Sequence, residues 1–282
     1  MSSKLVHFRK MNGLGNDFVV LDGRNYNLRL SSEAAALIGN RKAGIGCDQL
    51  ILIEPSKKAD VTMRIFNQDG SEVESCGNAS RCIADILLAE TQRGQITIDT
   101  RGGLLSCTKA GDGLVTVDMG MPKFDWQDIP LAHPVEDTSQ VPITVGELSH
   151  PSCMNVGNPH AIFWIDQINE IDLPTIGPLL ECHPIFPQKA NISIAQIQTN
   201  DHIALRVWER GVGITKACGT AACAAAVAGA RAQKTSRICT ISLPGGDLQI
   251  EWDSNDHILM TGVVEYEYEG DLPIEMASMV LT

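Results

Sequence analysis

The sequence predicts an α/β (α+β) protein made of two similar domains that arose by internal duplication. Sequence patterns recur at a fixed offset of about half the chain, and both halves show the same order of strand and helix patterns. The chain has 282 residues, which is enough for two domains of about 140 residues, each with its own core. We expect domains at 1–121 and 122–268.

The repeat is clearest around two Cys-Gly pairs. Cys218 lies 142 residues after Cys76, and each cysteine follows a strand-like segment by the same interval. An offset this long exceeds the period of solenoid repeats, so it indicates two domains related by a pseudo-twofold axis. Matched segments, first copy before second, are GN (15–16) and GN (157–158), QLILI (49–53) and NISIA (191–195), MRIF (63–66) and LRVW (205–208), and, one residue later, ITIDTRGG (96–103) and CTISLPGG (239–246).

Each copy contains the same elements in the same order. Short β-branched apolar runs indicate strands, and Ala- and Leu-rich runs that follow Ser or Cys-Gly indicate helices. A proline-rich segment, 121–142, connects the copies, and its four prolines favour a fixed crossover. In the first copy we predict strands at 18–22, 50–54, 61–66 and 95–100, a helix at 31–39, a second helix that begins after Cys76 and has apolar residues at helical spacing over 83–90, and a hairpin at 104–119. In the second copy we predict strands at 160–165, 191–197, 204–209 and 238–243, a helix at 217–230, and a hairpin at 248–262.

Composition excludes several classes of function. A net charge of −12 opposes binding to nucleic acid or to an anionic membrane. The N-terminal MSSKLVHFRKMNGLG has no apolar signal core, and the most apolar run, 217–230, is too short to span a bilayer. Nine cysteines without a Cys-x2-Cys pair suit neither a disulfide framework nor a zinc site. We therefore expect a soluble, cytoplasmic protein with reduced thiols and no metal.

Cys76 and Cys218 each stand where a predicted helix begins. Unpaired backbone N–H groups and the positive end of the helix dipole collect there, which favours a thiolate and binds a carboxylate. We expect the pseudo-twofold axis to direct both thiols at one cleft. Such a pair can invert a carbon centre without a cofactor, because one thiol removes a proton from one face while the other donates a proton to the opposite face.

The other cysteines are expected to be small buried hydrophobic residues. Cys82 and Cys223 lie inside the predicted helices, where packing is the simplest interpretation. For Cys76 and Cys218 the alternative is a disulfide between the two thiols. The remaining positions are Cys47, Cys107, Cys153, Cys182 and Cys239.

Seven distinctive segments lie between about residue 8 and about residue 270: KMNGLGNDFVVLD, GIGCDQL, MRIFNQDGSEVESCGNASRC, VGNPHA, RVWERGVG, ACGTAACAAAV and LPGGDLQIEW. The resemblance of these segments, taken together, is to the diaminopimelate epimerases. It implies interconversion of LL- and meso-diaminopimelate, in lysine and peptidoglycan precursor synthesis, by a two-base mechanism without pyridoxal phosphate. It also implies two domains, each with a curved sheet around a central helix, a C-terminal tail (269–282) that returns to the first domain, and a homodimer.

The resemblance also implies roles for individual residues. Cys76 and Cys218 correspond to the catalytic base and acid. Gly77, Asn78, Gly219 and Thr220 correspond to the cradle for the carboxylate at the reacting centre. Asn16, His160 and Glu209 correspond to residues near that centre and its amino group. Asn67, Asn158, Asn191 and Arg210 correspond to residues that bind the distal end of the substrate, and Gln49 to a further contact.

Simpler interpretations remain open for some of these residues. Asn16 and Asn158 suit loops with unusual dihedral angles, His160 suits a hydrogen-bonded histidine at a strand edge, and Glu209 and Arg210 suit an exposed ion pair. The chain also departs from the usual family pattern at Asn12, where His is common, at Ala79 and Ala221, where Gly is common, and at Ile214, where Glu is frequent.

Two alternative functions also remain open. One is a racemase or epimerase of the same fold that acts on another amino acid. The other is a non-catalytic amino-acid-binding protein in which the two thiols act as a redox sensor.

Overall fold

The computed structural model describes residues 5–25, 28, 30–74 and 76–273. The chain divides into two compact units, Met1–Val117 with Val263–Thr282, and Asp118–Gly262. The boundaries expected from the sequence, after residues 121 and 268, stay a prediction about the domains. Residues 274–282 of the expected tail lie outside the described residues.

In the part of the chain that the structure describes, the first unit contains two helices, and most of its strands lie before residue 118. These elements are β1 (Leu5–Gly13), β2 (Asn16–Asp22), α1 (Ser32–Gly39), β3 (Gln49–Glu54), β4 (Val61–Asn67), β5 (Glu72–Val73), α2 (Gly77–Thr91), β6 (Gln95–Thr100), β7 (Gly103–Gly111) and β8 (Leu114–Asp118).

The second unit begins with a long irregular segment and then follows the same plan. Its elements are β9 (Thr144–Val145), β10 (Leu148–Ser149), β11 (Ser152–Asn155), β12 (Pro159–Trp164), a 3₁₀ turn (Ile168–Glu170), α3 (Leu173–Glu181), β13 (Asn191–Thr199), β14 (His202–Glu209), β15 (Gly213–Thr215), α4 (Gly219–Arg231), β16 (Ile238–Leu243), β17 (Gly246–Trp252) and β18 (Ile258–Val263). The last strand, β19 (Glu265–Pro273), belongs to the first unit and pairs there with β1 in antiparallel orientation.

The central strands of the two units pair in the same way. Strand β2 is parallel to β3 with Phe18 opposite Gln49, and β12 is parallel to β13 with His160 opposite Asn191, so both partners shift by the same 142 positions. The β3–β4 and β13–β14 pairs are antiparallel, and the β4–β6 and β14–β16 pairs are parallel, again in matching register. The expected duplication of a mixed, mostly antiparallel fold is confirmed.

Each unit packs its sheet around one helix that is buried almost throughout. In α2 the buried face includes Ile83, Leu87 and Leu88. In α4 nearly every residue from Gly219 to Gly229 is buried, and the helix packs against β11 to β14, β16 and β17. The short side chains of α4 allow these strands to approach the helix backbone closely, because alanine adds only one methyl group.

Helix α3 has no counterpart among the elements predicted from the sequence, although it follows β12 as α1 follows β2. It begins after Asp172, whose carboxylate accepts hydrogen bonds from Thr175, and it contains Pro178. The interior proline hides the helical pattern in the sequence, because a proline removes a backbone donor and usually ends a helix. Gly177 packs directly on Trp208: a Cβ atom there would lie 2.6 Å from the indole Cδ2.

The proline-rich segment 121–142 is fixed against the second unit. Ile129, Leu131 and Val141 are buried in that unit's core. The backbone N–H of Ala132 donates to the carbonyl of Ile185, at an N···O distance of 2.9 Å. The segment is therefore an ordered crossover.

No helix within the described ranges is both long enough and apolar enough to cross a membrane.

Candidate active site

Cys76 is the residue immediately before α2 and has extended backbone angles, φ −149° and ψ 110°. Its side chain is half-buried, and its Sγ atom lies 3.8 Å from the Oδ1 of Asn16, close enough for the thiol to donate a weak hydrogen bond. The first N–H groups of α2 have no partners inside the helix. The sequence prediction of a cysteine at this helix start is confirmed.

Cys218 occupies the matching position before α4, with φ −137° and ψ 108°. It is buried, its Sγ lies 3.5 Å from the Oγ1 of Thr220, and the backbone N–H of Ala221 donates to the sulfur. Burial raises the pKa of this thiol well above its ordinary value, and the negative charge of Glu209 raises it further. The thiolate expected from the helix dipole is therefore not favoured at Cys218, because desolvation outweighs the hydrogen bonds at the helix start.

The first turns of both helices match in backbone geometry and differ in their side chains. The N–H of Ser80 donates to the carbonyl of Cys76, and Ala222 does the same to Cys218. Asn78 is buried and its Oδ1 accepts from Arg81 at 3.0 Å, so its side chain is used inside the unit. The backbone N–H groups of the turn are then the better donors for a bound anion.

The two alanines that replace the family's usual glycines, Ala79 and Ala221, are both fully buried. Each added methyl group therefore lies in the interior of its unit.

Asn16 is held by a network of charged residues on the first unit. Its Nδ2 donates to Asp48 Oδ2 at 3.1 Å, and Arg41 bridges Asp48 and Asp17 with guanidinium bonds of 2.7 Å to each carboxylate. The buried ammonium of Lys10 also bonds Asp17. Burial would raise the pKa of Asp17, but its bonds to Arg41 and Lys10 hold that pKa well below its usual range. The Asp17 carboxylate is therefore charged, and Asn16 is oriented before any ligand binds.

Gln49 and Asn67 lie opposite each other on neighbouring strands. The Nε2 of Gln49 donates to the Oδ1 of Asn67 at 3.1 Å, and Asn67 donates to Ser71. The Oε1 of Gln49 is buried and has no hydrogen-bond partner among the described residues. A buried acceptor without a donor is costly, so this oxygen suits a donor supplied by a ligand or by water.

His160 lies within β12 and is fully buried beside Asn158. Its Nε2 is 2.7 Å from the Oδ1 of Asn158, and its Nδ1 has no partner in the described part of the chain. Burial, and then the positive charge of Arg210, lower the pKa of His160 to about 3, so the ring is neutral at physiological pH. The hydrogen-bonded histidine proposed as the simpler interpretation is satisfied at only one of its two nitrogens.

The loop dihedral alternative for Asn16 and Asn158 is wrong. The left-handed angles belong to the preceding glycines, with φ 78° at Gly15 and 101° at Gly157. Both asparagines are therefore free of the backbone role that this alternative gave them.

Asn191, Glu209 and Arg210 form a third group. The Oδ1 of Asn191 accepts from the backbone N–H of Arg210 at 2.9 Å, and the Arg210 guanidinium is exposed and donates to the Gln188 carbonyl. Glu209 instead accepts from the hydroxyl of Thr215 and hydrogen-bonds Cys218. The ion pair between Glu209 and Arg210 that was left open is therefore wrong, because each side chain has another partner.

Sequence reasoning missed one residue in each unit, Asp48 beside Asn16 in the first and Thr215 beside Glu209 in the second. Thr215 is placed beside Glu209 by the pairing of β14 with β15, which no short motif reveals. Asp48 stands inside the GIGCDQL segment, and its acidic side chain next to Gln49 was the available signal.

The remaining cysteines follow the packing expectation with one exception. Cys182 is exposed, so the prediction that it is buried is wrong. It lies just after α3, where the chain turns back to the surface, and the helix pattern that would have shown this is hidden. The buried cysteines are Cys47, Cys82, Cys107, Cys153, Cys223 and Cys239.

Comparison with known proteins adds a family to this geometry. A family model described as diaminopimelate epimerase matches residues 8–124 and 152–267. A diaminopimelate epimerase of Rhodospirillum centenum is 50% identical over 267 residues, which is 94% of this chain and 91% of that protein. One from Erythrobacter litoralis is 49% identical over 266 residues, covering 94% and 96%.

Solved structures with the same fold are far more distant in sequence. A predicted epimerase from Pseudomonas aeruginosa has a TM-score of 0.69 and 16% identity, covering 95% of this chain and 99% of that one. A hydroxyproline epimerase from Agrobacterium vitis has a TM-score of 0.64 and 12% identity, covering 99% and 93%. These two show the fold alone, whereas the family model and the closer relatives span nearly the whole sequence. The chain belongs to the diaminopimelate epimerase family.

Proposed function

We propose that this chain interconverts LL- and meso-diaminopimelate, with Cys76 and Cys218 exchanging protons with opposite faces of one α-carbon. The observation that carries the proposal is the matched pair of Cys-Gly helix starts, with nearly equal backbone angles, in two units of the same fold. The relatives named diaminopimelate epimerase support the choice of substrate.

In this mechanism one thiolate removes the α-proton and the other thiol donates its proton to the opposite face. The negative charge that develops spreads onto the α-carboxylate, where N–H groups at the starts of α2 and α4 stabilise it. Cys218 is well suited to the donor role in one direction, because burial and Glu209 keep it protonated. The reverse reaction exchanges the roles.

The polar residues around the two thiols have the chemistry that the substrate requires. Diaminopimelate carries an amino group and a carboxylate at each end. Glu209, whose side chain hydrogen-bonds Cys218, suits the ammonium at the reacting centre, and Asn16 and His160 act near the same centre. The exposed guanidinium of Arg210 suits the distal carboxylate as a bidentate donor. Asn67, Asn158, Asn191 and Gln49 supply neutral hydrogen bonds, among them the unpartnered Oε1 of Gln49.

Proton exchange tests the proposal directly. Reduced protein is incubated with LL-diaminopimelate in heavy water without added pyridoxal phosphate, and we expect meso product with deuterium at one α-carbon. Cys76→Ser and Cys218→Ser should each lower turnover by about 100-fold or more, because a serine hydroxyl is a much weaker acid than a thiol. If folded wild-type protein with reduced thiols exchanges no α-proton, the proposal is excluded.

A second candidate function is epimerisation of another amino acid on the same fold, which the hydroxyproline epimerase neighbour motivates. Arg210→Ala separates the two candidates. If diaminopimelate is the substrate, Arg210→Ala should greatly reduce its turnover, because the variant has no guanidinium to bind the distal carboxylate. If a substrate without such a carboxylate is turned over equally well by both proteins, the second candidate is favoured.

The redox-sensor alternative makes the opposite prediction for the cysteines. In that case Cys76→Ser would bind the ligand as before, oxidation alone would change affinity, and no turnover would be found in reduced protein. We also propose that the protein is a cytoplasmic homodimer. Sedimentation of the purified protein tests whether it is a dimer.

A further inference from the structure

Glu181, the last residue of α3, is a buried carboxylate with a full set of donors. Its Oε2 accepts from the indole Nε1 of Trp208 at 2.7 Å, and its Oε1 accepts from the backbone N–H of Gly211 at 3.0 Å and from the ammonium of Lys189 at 3.2 Å. The Glu181 side chain is only 7% exposed, whereas that of Lys189 is 52% exposed. The interior bonds to Trp208 and Gly211 therefore define the position of the carboxylate.

These two interior bonds fix both sides of a functional dipeptide. Trp208 immediately precedes Glu209, and Gly211 immediately follows Arg210. Between the two anchors, Glu209 faces Thr215 and Cys218, and Arg210 presents its guanidinium at the surface. The Glu181 carboxylate therefore holds the residue before and the residue after the Glu209–Arg210 pair.

The first unit shows that the fold does not require this carboxylate. Gly39 ends α1 and stands 142 residues before Glu181, so the two residues are equivalent. There the backbone carbonyl of Gly39 accepts from the N–H of Cys47 at 3.1 Å and from Gln68 Nε2 at 3.5 Å. At this position the acceptor of the hydrogen bonds is therefore a backbone carbonyl in the first unit and the buried Glu181 carboxylate in the second. Burying a carboxylate is costly unless its bonds repay that cost, so a specific role for Glu181 is indicated.

We propose that Glu181 is a positioning residue that holds the Glu209–Arg210 turn in the geometry for binding the two ends of the substrate. The inference rests on the proposed function for the identity of that substrate. It does not require Glu181 to touch the substrate. Its effect is carried by Trp208 and Gly211, which are bonded to the same carboxylate.

Steady-state kinetics of two variants test the role. Glu181→Ala removes both acceptors, and we expect kcat/KM for LL-diaminopimelate to fall by about tenfold or more, mainly through a higher KM. Glu181→Gln keeps one acceptor and should give an intermediate loss. In an Arg210→Ala background the further loss from Glu181→Ala should be smaller, because only the positioning of Glu209 is then left to lose. Equal losses in both backgrounds would overturn the proposal.

A spectroscopic measurement separates positioning from simple destabilisation. The indole N–H signal of Trp208 in a proton–nitrogen NMR spectrum, assigned with Trp208→Phe, should shift in Glu181→Gln while the protein stays folded. The matched control is Glu251→Gln, which changes an exposed glutamate of the same unit and should leave both the signal and KM unchanged.

The wild-type assay distinguishes failure of this inference from failure of the proposed function. If wild-type protein turns over LL-diaminopimelate and Glu181→Ala has an unchanged KM, only the positioning role is wrong. If wild-type protein has no turnover, the proposed substrate is wrong, and the indole signal still reports whether Glu181 anchors the turn. An unshifted indole signal in folded Glu181→Gln would overturn the anchoring.

Discussion

Glu209 and Cys218 lie side by side in the second unit, and the charge of one controls the acidity of the other. Burial and the Glu209 carboxylate together raise the pKa of the Cys218 thiol. Burial also raises the pKa of Glu209, while Thr215 and Cys218 lower it by hydrogen bonding. A thiol kept protonated in this way is a ready proton donor, but it acts as a base only after its partner is neutralised or moved.

The contact between Glu209 and Cys218 predicts how fast Cys218 is alkylated. Alkylation needs the thiolate, so a raised pKa slows it at fixed pH. Glu209→Gln removes the negative charge and should lower the pKa of Cys218, which increases the thiolate fraction by up to tenfold for each unit of pKa. We expect faster labelling of the Cys218 peptide by iodoacetamide at pH 8, measured by mass spectrometry. Exposed Cys182 is the internal reference, and slower or unchanged labelling would contradict the pairing.

At the scale of single residues, the sequence predicts positions better than contacts. Cys76 and Cys218 stand at helix starts as predicted, because the glycine and alanine pattern after each cysteine is a local signal. The acidity of Cys218 was predicted in the wrong direction, because it depends on burial and on Glu209, which is nine residues earlier and reaches it through strand pairing. No local pattern contains that information.

Helix α3 shows the same limit at the scale of elements. The central strands of both copies and the helices α1, α2 and α4 are predicted, because period-two and helical apolar patterns are strong there, whereas the strands β1, β11 and β19 are not predicted. Gly177 and Pro178 disguise α3, and its stability comes from packing on Trp208 instead of from intrinsic propensity. The equivalent helix α1 was found because Ser31 and Glu33 mark its start.

A glycine substitution tests the packing of α3. Replacing a helical glycine by alanine normally stabilises a helix by about 1 kcal/mol. In Gly177→Ala the new methyl group would lie 2.6 Å from the Trp208 indole, so we expect a net loss of about 1–3 kcal/mol in the free energy of unfolding. The measurement is urea denaturation. Gly39→Ala is the matched control in α1: its nearest contact is an ordinary 3.6 Å, so its stability should be unchanged or higher.

At the scale of the whole molecule, the duplicated plan distributes buried thiols through both cores. Burial raises the pKa of Cys47 and Cys239 to about 11 and that of Cys82 to about 12. In the unfolded chain a cysteine has a pKa near 8.5. It therefore loses its proton at a pH at which these folded thiols are still protonated. The unfolded chain therefore binds fewer protons above pH 8.5, and folding stability falls as the pH rises.

We expect the free energy of unfolding, measured by urea denaturation under reducing conditions, to fall steadily between pH 8.5 and 10. Cys82→Ala should reduce this drop by up to about 2 kcal/mol, because each such thiol contributes about 1.4 kcal/mol per pH unit in that range. The variant is compared with wild-type protein at pH 7 to subtract the lost packing. An identical alkaline decline in both proteins would show that Cys82 does not titrate in this way.

The alanine-rich core helix α4 restricts how this sequence can change over evolutionary time. Alanine has no side-chain rotamers to lose on folding, so the helix that carries Cys218 is ordered at little entropic cost. Ala222, Ala224 and Ala225 are fully buried, so we expect a larger residue at any of them to be tolerated only if a neighbouring residue becomes smaller at the same time. Substitutions on this helix should therefore accumulate in compensated pairs, whereas α2, with its larger aliphatic side chains, can exchange one for another of similar volume by single steps.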